Sequence, residues 1–126
     1  MKILQPSTQI ADLFKALSQP VRVEILLAIG AGEACVCHLE ATLKLRQAFI
    51  SQHLMALRQA GILDTRRGGR YIFYSLSEPR LMDLVHQAAE ILGLPAENAG
   101  SPPSHHGCAC PKCEPTALDT LIEVSI

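Results

Sequence analysis

The feature that most constrains the fold of this chain is a change of periodicity in its second half. Apolar residues recur at helical spacing as far as Gly61, whereas residues 62–65 and 71–76 are rich in the β-branched and aromatic residues typical of strands. Residues 66–70 lie between them and contain two adjacent glycines, which predicts a hairpin turn. Helical spacing returns after Pro79, where a fifth helix is predicted with an apolar stripe of Leu81, Leu84, Val85, Ala88, Ile91 and Leu92. This order predicts a mainly helical protein with one β-hairpin before its last helix.

Four helices are predicted before the hairpin. The first has apolar residues at positions 10, 13, 14 and 17, with Ser7 or Thr8 as its expected N-cap. Pro20 is expected to open the second helix. The third is predicted from about residue 37 to 44. The fourth is predicted from about residue 47 to 60, with an apolar face formed by Ile50, Leu54 and Leu57. Helices 3 and 4 then form a helix-turn-helix and the hairpin forms a wing, which together predict a winged helix-turn-helix.

The net charge of −1 conceals a basic segment in the middle of the chain. From Lys44 to Arg70 there are six basic residues and one acidic residue, hence a net charge of +5 that the rest of the chain outweighs. Such a segment is typical of a nucleic-acid reader when it coincides with a DNA-binding motif. Double-stranded DNA is therefore the predicted partner.

Residues of helix 4 and of the hairpin have the chemistry that this partner requires. Gln can bond adenine in a bidentate manner, Ser can bond base edges or phosphate, Ala can contact a thymine methyl group, and Arg suits phosphate. The predicted DNA-binding residues are Lys44, Arg46, Gln47, Ala48, Ser51, Gln52, Arg66, Arg67 and Arg70. The three hairpin arginines are expected to add affinity and salt dependence more than sequence choice.

The five cysteines call for a chemical explanation of their own. Residues 1–6 hold no apolar run long enough for a signal peptide, and no apolar run could span a bilayer, so we expect a cytoplasmic protein with reduced thiols. Reduced cysteines favour metal binding or thiol chemistry over disulfides. No nucleophile–base set or phosphate-binding loop is present, so we do not expect an enzyme.

The cysteines fall into a pair and a trio. Cys35 and Cys37 precede helix 3, where the helix dipole favours thiolates, and three more lie in a Pro-, Ser-, Gly- and His-containing tail: Cys108, Cys110 and Cys113.

We predict a domain over residues 1–94 for DNA binding and dimerisation, and a flexible tail over residues 95–126 that can donate metal ligands. As(III) prefers three thiolates, while Cd(II) and Zn(II) accept four, so the pair needs tail thiols from its own chain or a dimer mate.

Helix 5 carries a second candidate metal site. Asp83, His86 and Glu90 lie on one face of that helix and could bind Zn(II) across a dimer. A solvated polar face is the preferred interpretation of these three residues. For His53, within helix 4, packing and hydrogen bonding are preferred over metal binding.

The chain resembles the ArsR/SmtB family of metalloregulatory repressors. The resemblance rests on residues 17–26, 33–39, 47–54, 57–63 and 66–76. It implies a homodimer that pairs through helices 1 and 5 and leaves operator DNA when a thiophilic ion binds, As(III)/Sb(III) or Cd(II)/Pb(II). The Cys-Val-Cys motif of the arsenite- and cadmium/lead-sensing members matches Cys35 and Cys37.

The chain also departs from the patterns of this family. Glu40 stands where the arsenite-type motif has its third cysteine, no cysteine precedes Cys35, helix 5 lacks the Asp-x-His pair of the zinc pattern, and Arg46 replaces a common capping Ser or Thr. We therefore expect the tail to supply the missing thiols. Two alternatives remain open: a redox- or persulfide-sensing repressor of the same fold, and a DNA-binding module whose tail only stores or delivers metal or forms a structural zinc site.

Overall fold

The computed structural model describes residues 5–95, in which helices surround a small antiparallel sheet. The elements of these residues are α1 (Pro6–Ala16), α2 (Pro20–Ile29), β1 (Ala34–Cys35), α3 (Val36–Leu43), α4 (Gln47–Gln59), β2 (Leu63–Gly68), β3 (Tyr71–Leu76) and α5 (Arg80–Ile91). The predicted winged helix-turn-helix is confirmed: α3 and α4 form the helix-turn-helix, and β2 and β3 form the wing. No helix of this part of the chain is long and apolar enough to cross a membrane.

Two helix starts depend on proline. Because Pro lacks an N–H and has its φ angle fixed, it fits the first turn of a helix, and both α1 and α2 begin at one. The predicted cap by Ser7 or Thr8 is wrong, since α1 begins at Pro6 after an extended Gln5 that makes no side-chain capping bond.

The core lies where α2, α3 and α4 meet the base of the wing. The predicted inner stripe of α4 is confirmed, because Ile50, Leu54 and Leu57 are all completely buried. They pack against buried residues of the neighbouring elements: Ile25, Leu26, Ile29, Leu39 and Leu63. Burial of one such side chain contributes about 1.5–3 kcal/mol, so this core fixes the position of α4 on the protein surface.

The sheet has a third strand that the sequence pattern did not predict. The strand order is β1-β3-β2, with β1 antiparallel to β3. Ala34 pairs with Tyr74, and Cys35 pairs with Phe73. Cys35, expected to lie in a segment just before helix 3, is therefore a strand residue, while Cys37 is the second residue of α3.

The wing is longer and its turn is tighter than predicted. β2 continues through Arg66 and Arg67 to Gly68, so the turn consists of Gly69 and Arg70 alone. Gly69 has a φ of +62°, and a positive φ at the first central residue is what a two-residue type II′ hairpin requires. Arg66 and Arg67 consequently lie inside a strand and not at the tip where the sequence placed them, and only Arg70 lies in the turn.

One face of α1 and α5 carries apolar side chains that this chain leaves exposed. They are Ile10 and Phe14 of α1, Ile91 of α5, and Leu92 and Leu94 just beyond it. A cavity of about 600 Å³ lies beside them and is lined by α1, α2 and α5, including Leu17, Leu27 and Leu84. The apolar stripes predicted for helices 1 and 5 thus exist but are only partly covered.

Candidate functional site

The helix-turn-helix presents the first turns of α4 to solvent. The connection from α3 to α4 is only Lys44, Leu45 and Arg46, and Lys44 adopts the left-handed conformation with a φ of +57°. Its N–H reaches the carbonyl oxygen of Glu40 at 2.8 Å and closes α3. Arg46 makes no side-chain capping bond to α4, as its replacement of a capping residue predicts.

The residues predicted to read DNA lie on the outer face of α4. Gln47, Ala48 and Gln52 are exposed, and Ser51 is half-buried. Sequence reasoning missed Phe49, whose side chain is 43% exposed in the same turn. Its ring contacts the ring of His53 edge-on, with 4.8 Å between centroids. In the sequence, Phe49 falls outside the apolar stripe that contains Ile50, and this position is the signal that could have predicted its exposure.

His53 links α4 to the helices behind it. Arg22 of α2 donates from Nε to Nδ1 of His53 at 3.2 Å, and from Nη1 to the carbonyl oxygen of Ala16 at 3.0 Å. Burial, and then the positive charge of Arg22, hold the pKa of His53 below its ordinary value. The geometry agrees with the predicted packing role for His53 because Nδ1 must stay unprotonated to accept this bond.

The wing arginines differ in their surroundings. Arg66 donates from Nε and Nη2 to the two carboxylate oxygens of Glu33, both at 2.7 Å. This bidentate hydrogen bonding holds the pKa of Glu33 below its ordinary value. Arg67 and Arg70 are exposed and have no ion-pair partner among residues 5–95. Of the three arginines, these two keep the charge that a DNA phosphate would meet.

Phe73 lies between the wing and the thiols. The guanidinium carbon of Arg66 is 4.7 Å from the centroid of this ring, which is cation–π distance. The backbone of Gly68 approaches the ring so closely that a Cβ atom there would come within 2.5 Å of it. Cys35 packs against the same ring, with Cys37 and Tyr71 beside it.

The two cysteines predicted to bind metal are brought together. The Sγ atoms of Cys35 and Cys37 are 3.0 Å apart, and no disulfide joins them. Cys35 is almost completely buried, at 1% exposed, whereas Cys37 is half-buried and forms the accessible side of the pair. Two soft donors this close fit one thiophilic ion as neighbouring ligands.

The pair does not form a complete metal site by itself. No group of three His, Cys, Asp or Glu side chains suited to a metal ion occurs within residues 5–95. His38, next to Cys37, is buried with Nε2 3.4 Å from Oγ1 of Thr42. The predicted tail ligands Cys108, Cys110 and Cys113 lie outside the described residues.

The predicted helix-5 site is likewise not assembled within one chain. Asp83, His86 and Glu90 are all exposed on α5, but they do not form a group of metal ligands among the described residues. A zinc site shared across a dimer therefore stays a prediction, and the solvated polar face is the simpler description of this surface.

Comparison with known proteins agrees with this fold. The sequence profile described as "Bacterial regulatory protein, arsR family" matches residues 19–65. The biofilm growth-associated repressor of Agrobacterium fabrum is 41% identical over 92 residues, which make up 73% of this chain and 79% of that protein.

The chain belongs to the ArsR family. The arsenic resistance transcriptional regulator ArsR2 of Pseudomonas putida is 41% identical over 81 residues, which make up 64% of this chain and 70% of that protein. The solved structure of the transcriptional repressor BigR from Xylella fastidiosa matches with a TM-score of 0.63 and 38% identity over 68% of this chain and 87% of that chain. The resemblance seen in the sequence is confirmed: this ArsR-family protein is a DNA-binding transcriptional repressor and not an enzyme.

The depressed pKa of His53 predicts how the stability of this ArsR-family protein responds to acid. Because protonation is easier in the unfolded chain, the unfolded state binds more protons once the pH falls below the ordinary pKa of His. The free energy of unfolding should therefore decrease from about pH 7 to about pH 5. His53→Asn keeps an acceptor near Nδ1 but cannot titrate, so its stability should decrease less over this range.

Urea unfolding at several pH values, at fixed protein concentration, measures this difference. Parallel profiles for wild type and His53→Asn would contradict a lowered pKa of His53 in the folded protein.

Proposed function

We propose that the protein is a homodimeric repressor that leaves operator DNA when a thiophilic ion binds Cys35 and Cys37. The observation that carries the proposal is the 3.0 Å separation of the two Sγ atoms, which makes them neighbouring donors for one ion. As(III)/Sb(III) or Cd(II)/Pb(II) are the proposed effectors, and Zn(II) has the same ligand preference for thiolates. Support comes from the Pseudomonas putida relative, which is an arsenic resistance transcriptional regulator.

Tail thiols complete the site in this proposal. A third or fourth ligand is required, because As(III) takes three thiolates and Cd(II) takes four, while residues 5–95 offer only a pair. Cys108, Cys110 and Cys113 are the remaining cysteines of the chain. In the proposed arrangement residues 1–94 bind DNA and dimerise, and residues 95–126 bring these thiols to Cys35 and Cys37.

The proposed DNA surface combines the outer face of α4 with the tip of the wing. Gln47, Ala48, Ser51 and Gln52 face outward in the first turns of α4, the end of a recognition helix that meets base edges. Lys44 and Arg46 border it, and Arg67 and Arg70 extend from the wing toward phosphate. Arg66 stays in the proposed set, with its charge offset by Glu33.

The proposed dimer pairs through α1 and α5. Ile10 and Phe14 are just over half exposed, and Ile91 and Leu92 are 83% and 73% exposed. Apolar side chains concentrated on one face mark an interaction surface, and a second copy of the same face would cover them. Two recognition helices held in this way would read two half-sites of an operator.

The central prediction concerns the thiol pair. Cys35→Ser/Cys37→Ser should bind operator DNA as tightly as wild type, because neither residue lies on the outer face of α4 or at the wing tip. The same variant should no longer be released by As(III), Cd(II), Pb(II) or Zn(II), since a hydroxyl is a poor ligand for a soft ion. Fluorescence anisotropy of labelled operator DNA, with reduced full-length protein, measures both quantities.

Replacement of the three tail cysteines tests whether the tail supplies ligands to the ion bound at Cys35 and Cys37. Cys108→Ser/Cys110→Ser/Cys113→Ser should weaken release if the tail completes the site, and should release normally if the tail only stores metal. Normal release from the Cys35→Ser/Cys37→Ser protein would show that the proposed effector site is wrong.

The same distance supports a redox repressor as the second candidate. Sulfurs 3.0 Å apart need to approach by about 1 Å to reach the S–S bond length of about 2.05 Å. Formation of that bond would transfer two electrons and release two protons to an oxidant such as peroxide. Release by peroxide or polysulfide, without any effect of metals under reducing conditions, would favour this candidate.

The wing predicts a change in salt dependence. Each phosphate contact that is lost lowers the slope of log K against log salt concentration by about 0.9. Arg67→Ala and Arg70→Ala should therefore each reduce the slope while leaving the preferred operator sequence unchanged. Arg80→Ala, which removes a charge paired with Glu78 at the start of α5, is the control and should keep the wild-type slope. Unchanged slopes for both wing variants would exclude their contact with phosphate.

A further inference from the structure

A small cluster of side chains, separate from the main core, joins the thiol pair to the wing. Phe73 is 5% exposed and packs with Cys35, Cys37 and Tyr71, whereas the main core is built around α2, α3 and α4. The backbone of Cys35 is also the antiparallel partner of Phe73. A movement of the Cys35 sulfur is therefore met by the ring of Phe73, while Cys37 moves with the first turn of α3.

The other surfaces of this ring are held by the wing. The guanidinium of Arg66 lies over it at 4.7 Å, and the backbone of Gly68 lies closer than any residue with a side chain would permit. Both residues are in β2, the strand that leads to the turn carrying Arg70. The ring of Phe73 is thus packed between the thiols and β2, with little room to move alone.

Glu33 adds a second connection between the segment that carries the thiols and the wing. It is bonded to Arg66 through both carboxylate oxygens and lies two residues before Cys35. The side chain of Glu33 is 25% exposed and that of Arg66 is 56% exposed, so the pair lies at the protein surface. The segment that carries the thiols is consequently attached to the wing twice, by packing through Phe73 and by the ion pair through Arg66.

Ion binding would increase the distance between the sulfur atoms of Cys35 and Cys37. Two thiolate sulfurs bound at about 2.3 Å to a tetrahedral Zn(II) ion are about 3.8 Å apart. They are 3.0 Å apart here, so binding requires them to separate. Cys35 is 1% exposed and packs against Phe73, so close packing passes a displacement of its sulfur to the ring.

We propose that Phe73, Arg66 and Glu33 transmit occupancy of the thiol pair to the wing. The inference rests on the proposed function, and it assigns these three side chains as positioning residues that act on DNA binding through β2. Separation of the sulfurs displaces the ring of Phe73, which displaces Arg66 and loosens its bond to Glu33. The wing then no longer holds Arg67 and Arg70 in the arrangement that binds DNA.

Two variants interrupt the proposed transmission from the thiol pair to the wing, one at Glu33 and one at Phe73. Glu33→Gln keeps the shape of the side chain but removes the charge that holds Arg66, and it lies outside the buried core. Phe73→Leu removes the ring and keeps an apolar residue. Glu78→Gln is the matched control, because Glu78 forms the corresponding carboxylate–arginine pair with Arg80 away from the cluster.

The test compares full-length wild type, both variants and the control under reducing conditions. Operator affinity is measured by anisotropy without ion and with saturating Cd(II) or As(III), and ion affinity is measured by thiolate-to-metal absorption for Cd(II) and by competition with a dithiol for As(III). We expect both variants to bind the ion within about threefold of wild type. The ion-induced loss of operator affinity should fall by about tenfold in Phe73→Leu and by at least threefold in Glu33→Gln. Glu78→Gln should behave as wild type.

Three results would overturn the inference. Wild-type release by both variants, with normal ion binding, would show that the route is wrong while the proposed function stands. Loss of ion affinity in both variants would make these residues part of the thiol site and not transmitters. Failure of wild type to release with either ion would overturn the proposed ion response and the transmission together. If Phe73→Leu does not fold, Glu33→Gln alone decides.

Discussion

The backbone pairing of Cys35 with Phe73 is the constraint on which the account of this protein depends. A strand of only two residues, Ala34 and Cys35, adds itself to the inner edge of the wing, and α3 begins directly after it. This pairing fixes one thiol against the sheet, while the first turn of α3 brings Cys37 beside it at 3.0 Å between the sulfurs. The candidate effector site and the wing, which belongs to the proposed DNA surface, thereby share a strand pair.

Much of this architecture could be predicted from the sequence, because its strongest signals are local. The stripe Ile50, Leu54 and Leu57 placed α4 correctly, and the aromatic run at 71–76 placed β3. The two-residue strand β1 could not be predicted, since a pair of residues carries no periodicity and its partner lies 38 positions further along the chain. Arg66 and Arg67 were misplaced for a related reason: adjacent glycines indicate a turn, but only the register of β2 against β3 shows that the turn begins at Gly69.

The residues of the thiol pair and of the basic surface could be predicted from the sequence, but the contacts between them could not. The Cys-x-Cys spacing identified the thiol pair, and the charge pattern identified the basic surface, yet neither showed that Glu33 holds Arg66 or that Phe73 lies between them. Those contacts join residues 33, 66 and 73, which only the folded chain brings together. The same holds for Arg22, which ties His53 of α4 to the end of α1 and so relates the recognition helix to the proposed dimer face.

Hydrogen exchange of backbone amides tests most directly whether the thiol pair acts on the wing. Reduced full-length protein would be compared with and without Cd(II), with thiolate absorption as the measure of ion binding. Exchange should become faster in β2 and β3 as the ion binds, while Ile25 and Leu26 in the main core keep their rates. Full occupancy of the thiols with unchanged exchange in β2 and β3 would contradict the account.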